Sequence, residues 1–366
     1  MKKHVNINGD LVRQQREKRA WTQEELSERS QLGLRTVRRL EAGSASWESL
    51  LRVAEELGLE PESTLVKPQV VRESEQREWF FLDPLKVEVS TTLLGSDPMA
   101  FIQPLIEKIS ALRQSIAREW GWLMPGVRLC DSTLLPANTY RIHIRELPAG
   151  EGQIQPDRVL QVERRVAQPG DLLDPIWSLP ARWVETDQDG LSPQAVLANH
   201  LRSLVELHAH RLLGLDEVAD LLERLEQRRL VQEVIPHKID LAGLRWVLRD
   251  LLKEFIPIRD LPAILESVAD HAGLPLPELA EKVRADLAPL ISHLHSDDQC
   301  TIHAVVYERL PRQLEPIIQT IFVTTPELRR ELREMLREHP RCPVLSLGEI
   351  APGYSLSAIF SEPVMN

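Results

Sequence analysis

The fold class predicted by this sequence is multidomain: an all-α helix-turn-helix domain, then an α+β body of several subdomains with a helical middle. Three observations predict it. The opening segment carries helix-period apolar stripes and a helix-start signature with no strand-like alternation. Charge divides unevenly: residues 1–67 hold 12 Lys and Arg against 11 Asp and Glu, whereas the other 299 residues hold 32 against 44. From about residue 85, short alternating runs give way to long helical periods and then return.

The elements follow in chain order. Leu11 and Val12 open a first helix, with Arg13, Arg16, Lys18 and Arg19 mostly outward. Thr22 with Glu25 three residues on is a capping box, so a second helix runs to about Ser30. Gln31-Leu32-Gly33 makes a tight turn. Leu34, Val37 and Leu40 supply one stripe of a third helix over 34–42, which Gly43 stops. A fourth helix spans 47–57, with Leu50, Leu51, Val53, Ala54 and Leu57 inward. Residues 61–84 read as a polar linker ending in an aromatic anchor, Trp79-Phe80-Phe81. Strands are predicted at 86–89, 127–130 and 140–145, with a helix over 98–120 and a turn at Pro136-Ala137-Asn138. The Gly-, Pro- and Trp-rich stretch 150–191 predicts short strands and loops. Helices follow at 193–213, 216–229, 241–254, 260–270 and 277–294. A closing unit has strands at 301–307, 318–323 and 343–346 and a helix at 326–338. The domains are therefore 1–60, a linker 61–84, and a body 85–360 divided at 85–191, 192–296 and 297–360.

Composition bounds the function. With 43% hydrophobic and 27% charged residues, the chain is neither disordered nor fibrous. No apolar run approaches the ~18–20 residues a membrane crossing needs. The polar start MKKHVNINGD predicts no signal peptide. Cys130, Cys300 and Cys342 are sparse and form no C-x-x-C, which fits a reducing, cytoplasmic setting. The net charge of −11 argues against a whole-surface nucleic-acid binder. The near-neutral first segment can still approach DNA by a local basic face, with the acidic body held away from the duplex.

Thr22-Gln23-Glu24-Glu25-Leu26 followed by Thr36-Val37-Arg38-Arg39-Leu40-Glu41-Ala42-Gly43 resembles the Cro/repressor-type (XRE) helix-turn-helix family, over the whole first domain. Physical chemistry runs alongside. Arg35, Arg38 and Arg39 fall opposite the apolar stripe of the third helix. Such a polar face enters the major groove, where an Arg fork on guanine O6 and N7 is worth roughly 1–3 kcal/mol of discrimination. By the resemblance, Gln23 contacts the DNA backbone and Arg35, Thr36 and Arg39 face bases, with Arg38 reaching phosphate. Leu34 stands where the family often has a polar reader; it implies either a thymine-methyl contact or weaker readout. Glu41 is expected to be structural. The competing reading of these arginines is a solvated basic face that only mediates protein contacts.

The body resembles the soluble half of the export-gate family of flagellar and injectisome type III secretion (FHIPEP). The islands are Ser115–Gly121 with Pro125–Arg128, Leu135–Ile142, Trp177–Val184, Val196–Leu201 with His208-Ala209, Ile258–Glu266 and Pro343–Ile350. The resemblance implies a docking platform for export substrates and their chaperones, not an enzyme. Two departures are expected: the family's membrane half is missing, and the closing unit is short between Tyr307 and Phe322. The family's ring of nine is therefore open to question.

No phosphate loop, dinucleotide fingerprint or esterase elbow occurs, so no catalytic residue and no cofactor are assigned. His208 and His210 point apart on a helix, and His293, His295, Cys300 and His303 lack defined ligand spacing, so no metal is expected. Asp260 before Leu261-Pro262 reads as a helix cap rather than half of a catalytic pair with Arg259. Trp177, Trp183 and Trp246 read as core. The expected function is a cytoplasmic, sequence-specific transcription regulator. Its partners are double-stranded DNA, another copy of itself in a dimer, and a secretion-type chaperone or substrate, with no membrane. The alternative is an adaptor without DNA function that docks type III secretion components.

Overall fold

The computed structural model describes residues 4–6, 8–59, 82–165, 167–311, 314 and 320–360. These form two compact units, 1–81 and 82–366. Most of the 61–84 linker reading, including Trp79-Phe80-Phe81, lies outside the described residues.

The N-terminal unit has helices α1 (Gly9–Lys18), α2 (Gln23–Arg29), α3 (Leu34–Glu41) and α4 (Trp47–Glu56). Its core joins Val12, Leu26, Val37, Leu40, Leu50 and Val53, one stripe from each helix. A short antiparallel pair, β1 (His4–Asn6) with β2 (Ser44–Ser46), was not legible in the sequence. Leu51, read as inward, is exposed, because the α4 stripe is set by Leu50, Val53 and Ala54.

In the larger unit β3 (Leu85–Ser90) is central. Its inward Leu85, Val87 and Val89 share one core with the buried face of α6 (Pro98–Trp120), which follows the single turn α5 (Thr91–Leu94). β4 (Val127–Ser132) pairs parallel with β3, and β5 (Thr139–Ile144) pairs antiparallel on its other side. The turn at Pro136-Ala137-Asn138 thus joins two strands that are not neighbours. β5 continues into β6 (Leu147–Gln153) through a hairpin whose Arg145 and Glu146 both take positive φ, 51° and 63°. The 150–191 stretch supplies β7 (Arg158–Val162), β8 (Leu172–Leu173) and β9 (Pro180–Glu185) in the order β7-β9-β8.

The helical middle holds α7 (Pro193–Leu212), α8 (Leu215–Arg224), α9 (Arg228–Val234), α10 (Leu241–Lys253), α11 (Leu261–Asp270), α12 (Leu276–Asp286) and α13 (Ala288–His295). Two readings are corrected here. The helix at 216–229 is two, and the Arg228 guanidinium donates to the carbonyls of Leu222 and Glu223 at the break. The helix at 277–294 is also two. Pro289 has no N–H for an interior turn and sits in the first turn of α13 instead. Asp260 accepts from the Ala263 N–H at 3.2 Å, capping α11 as read.

The closing unit is a parallel sheet in the order β12 (Val344–Ser346), β11 (Ile321–Thr324), β10 (Thr301–Tyr307), β13 (Ser355–Phe360), with α14 (Arg329–Met335). β13 was missed by the sequence reading, since one short run gives no sign of the strand it pairs with. Buried ion pairs tie this unit to the helical middle. Arg284 Nε meets Glu349 Oε1 at 2.6 Å, and one Arg329 guanidinium nitrogen meets Glu254 Oε2 at 2.8 Å. Burial raises the pKa of Glu254, but Arg284 and Arg329 outweigh it and hold the carboxyl below its ordinary range.

Trp183 and Trp246 pack against the main core as read. Trp177 does not: the residue is 37% exposed, and its ring lies 4.5 Å beneath the Arg341 guanidinium.

Candidate nucleic-acid interface

The N-terminal unit is built to hold one helix in place. Thr22 Oγ1 accepts from the Glu25 N–H at 3.1 Å, and the Glu25 carboxylate accepts from the Thr22 N–H at 2.6 Å, fixing the start of α2. Gln31 adopts a left-handed φ of 53°, turning the chain before Gly33 opens α3 with extended backbone. Val37 and Leu40 bury one face of α3 completely.

The other face carries the candidate residues. Arg35, Arg38 and Arg39 are exposed, while Leu34 and Thr36 are half-buried. Arg35 and Arg39 stand one turn apart, and neither forms an ion pair or hydrogen bond through its guanidinium among the described residues. Their forks are open to a ligand. Arg38 differs: its Nε donates to Gln23 Oε1 at 3.3 Å. Gln23 in turn donates from Nε2 to Glu41 Oε2 at 2.7 Å. The structure therefore groups Gln23 with Arg38 and separates both from the free pair.

Glu41 is the hub. It also receives Arg16 Nε on Oε1 at 2.6 Å, and Arg16 donates from a terminal nitrogen to the Trp21 carbonyl at 2.7 Å. Burial pushes the Glu41 carboxyl up, yet the hydrogen bonds from Arg16 and Gln23 win and hold it below its ordinary range. The structural role expected for Glu41 is seen here. The outward placement of Arg16 is corrected: the residue is buried. The signal was present in the sequence, because Arg16 lies four residues after Val12 and so shares its inward stripe. Gly9 completes the packing, since a Cβ there would stand 2.2 Å from the Glu41 carbonyl oxygen.

The rest of the chain was searched for other chemistry. Among the described residues, no group of three or more His, Cys, Asp or Glu gathers as a metal site. His303 instead holds Asp297 at 3.0 Å, and the rings of His208 and His210 lie 6.4 Å apart on α7. No described helix is long and apolar enough to cross a membrane.

A helix-turn-helix family profile matches residues 12–63, the ground over which α1 to α4 are built. The FHIPEP family profile matches residues 40–318, most of the chain. The chain belongs to the FHIPEP family. Among curated FHIPEP relatives, the flagellar biosynthesis protein FlhA of Caulobacter vibrioides is 34% identical over 224 residues, covering 57% of this chain and 32% of that protein. FlhA of Helicobacter pylori is 30% identical over 269 residues, covering 65% and 36%. The chain thus spans about a third of the length of these relatives. Among solved structures, the complex of the Chlamydia pneumoniae CdsV and CdsO proteins contains a match with a TM-score of 0.65 at 22% identity, over 77% of this chain and 98% of that one. Nonameric SctV-C from EPEC matches with a TM-score of 0.62 at 16% identity, over 76% and 98%. At these identities the structures show a shared fold. The chain thus covers 98% of each of these two solved chains, with a helix-turn-helix unit ahead of that fold in the same chain.

Proposed function

We propose that this FHIPEP-family chain is a sequence-specific, DNA-binding transcription regulator. It acts in the cytoplasm as a dimer and has no enzymatic role. Its body brings copies together or senses a secretion-type chaperone or substrate. One observation carries the reading: Arg35 and Arg39 stand exposed and unpaired, one turn apart, on the helix that the helix-turn-helix core presents. In this arrangement α3 enters the major groove, Arg35, Thr36 and Arg39 face base edges, and Leu34 lies against a thymine methyl. Arg38, steered by Gln23, reaches the phosphate backbone.

The test is selection of duplex DNA from a random pool by the full-length protein, beside an Arg35→Ala/Arg39→Ala variant. The expected result is a two-half-site motif that the variant loses. Each lost bidentate contact costs roughly 1–3 kcal/mol, so losing two from one α3 weakens binding by about 30-fold to more than about 10⁴-fold. No enrichment by a folded wild-type protein would overturn the proposal.

A second reading is an adaptor that docks type III secretion components without using DNA. The observation favouring it is that a body of this fold has been solved in complex with a second protein, CdsO. The two readings separate by salt. A duplex binder that contacts several phosphates loses affinity steeply as salt rises, and an adaptor shows no duplex affinity to lose.

A further inference from the structure

Several arginines packed into the body are matched to carboxylates: Arg284 meets Glu349 and Glu254, Arg329 meets Glu254 and Glu281, and Arg330 meets Asp250 and Glu281. One group of cations centred on a single helix is not. On α10, Arg245, Arg249 and Lys253 recur every fourth residue and form a single stripe. α7 packs along α10 and ends in His210 and Arg211. The hairpin turn after β5 contributes Arg145. Among the described residues, none of these six side chains meets a carboxylate. Asp250, the one acid within the α10 stripe's own turns, is spent on Arg330.

Three observations say that the cluster is more than solvated surface. Arg245 Nε and His210 Nδ1 are both buried and have no hydrogen-bond partner. Burial and then the charges of Arg245 and Arg145 push the Arg249 guanidinium below its ordinary range, so these groups feel one another without relief. Burial, together with His208, Arg249, Lys253 and Arg211, lowers His210 to about 4. Helix dipoles do not explain the arrangement. They favour Arg211 and Lys253 at helix C-termini, but Arg245, in the second turn of α10, gains nothing from them. Arg145 also occupies a left-handed turn position that Asn, Asp or Gly would take with less strain. Like charges held at helical spacing, in a chain of net charge −11, are a cost that a bound anion would remove.

We propose that α7, α10 and the β5–β6 turn form a binding site for a phosphate-bearing anion of two or more charges. Guanidinium forks at Arg245 and Arg249 match phosphate oxygens in pairs, Arg145 closes over them from the turn, and Lys253 adds charge at the rim. Two guanidinium forks and a lysine call for more acceptor oxygens than one carboxylate has, and a phosphate group supplies three.

The experiment uses the full-length chain and pyrophosphate as the probe, in calorimetric titration and thermal melting at constant ionic strength. Pyrophosphate is expected to bind and to raise the melting temperature by about 2 °C or more when in large excess. Arg245→Gln/Arg249→Gln should weaken binding at least tenfold, without lowering the unliganded melting temperature, since neither arginine gives up an ion pair. Arg249→Lys keeps the charge but loses the fork, and should weaken binding several-fold even if the double variant proves unstable. Arg35→Ala/Arg39→Ala should bind pyrophosphate like the wild type, which separates this site from the α3 face. The proposal is overturned if pyrophosphate gives no heat and no thermal shift, or if sodium chloride at matched ionic strength reproduces the shift. It is equally overturned if the α10 variants respond like the wild type, or if hexaglutamate binds more tightly than pyrophosphate, which would make the cluster a peptide-docking face.

Discussion

The α3 presentation rests on Glu41, and Glu41→Ala tests that directly. Arg16 and Glu41 have side-chain exposures of only 9% and 6%, so the pair is effectively removed from water. The carboxylate accepts Arg16 at 2.6 Å and 3.4 Å and Gln23 at 2.7 Å. Deleting it leaves the Arg16 charge buried without its counter-ion, a change that costs about 3–5 kcal/mol. A helical unit of this size has only about 3–8 kcal/mol of stability, by the usual ~0.05–0.15 kcal/mol per residue. Glu41→Ala should therefore unfold much of the N-terminal unit near 37 °C while the body melts as before. The assay is calorimetric thermal unfolding of the whole chain, in which loss of the N-terminal unit lowers one transition and leaves that of the body in place. A second variant sharpens the test. Replacing both partners, Arg16→Met/Glu41→Leu, removes the charges together and should recover most of the loss, because well-packed apolar pairs often match a buried ion pair. A Glu41→Ala cost below about 1 kcal/mol, or a double variant no better than the single one, would refute the reasoning.

Other perturbations follow from the same geometry. Gly121→Ala should destabilise the body by more than about 2 kcal/mol, read as a fall in melting temperature. Gly121 has a φ of 79°, and a Cβ there would stand 2.1 Å from the Arg259 Cα. Leu248→Ala, at a site with no solvent exposure in the helical core, should cost about 2–5 kcal/mol by urea unfolding. Stability should also fall on acidification. Burial first of all lowers His200 and His295 to about 4, so between about pH 6.5 and pH 4 the unfolded chain binds protons that the folded chain refuses. Their contribution is complete above the unfolded pKa and is lost as the pH drops towards 4. Melting temperature against pH should show that slope, and His200→Gln should flatten part of it; an unchanged profile in that variant would count against the assignment.

Local chemistry was the legible part of this sequence. The Thr22–Glu25 box, the Asp260 cap and the helix over 98–120 were readable because each depends on residues within a few turns of one another. What the sequence concealed was adjacency. Nothing local says that β3 inserts between β4 and β5, or that β13 pairs with β10 across most of the closing unit. Burial of charge was hidden for a related reason. Arg16 and Arg284 look like surface residues until their partners, Glu41 and Glu349, are brought to them from 25 and 65 residues away. The candidate site was legible as a helix face, through the period of Val37 and Leu40. Its division into a free pair, Arg35 and Arg39, and a tethered Arg38 was not, because Gln23 and Glu41 come from elements on either side of the turn.

The joining of a helix-turn-helix unit to an export-gate-type body has a consequence for affinity that can be measured. One α3 offers two free arginine forks, each worth roughly 1–3 kcal/mol of discrimination against a wrong base. Such discrimination is modest beside the ~4–10 kcal/mol by which specific DNA binders exceed their own non-specific affinity. A body that holds two such units together converts the second contact into an intramolecular one and multiplies affinity by about 10²–10⁴ with no new contact to DNA. Full-length protein should therefore bind a duplex with two half-sites one helical turn apart at least a hundredfold more tightly than the same duplex with one half-site scrambled. Rotating the half-sites by half a turn, through five added base pairs, should abolish most of that advantage, because the two α3 helices would then address opposite faces of the duplex. Equal affinity for all three duplexes would mean that the body does not pair the helix-turn-helix units, and the dimeric part of the proposal would fall while base reading by α3 could still stand. A preference that persists at every half-site spacing would instead indicate units held on flexible connections, as an assembly larger than a dimer could supply. The dependence on spacing therefore reports the geometry of assembly as well as its presence.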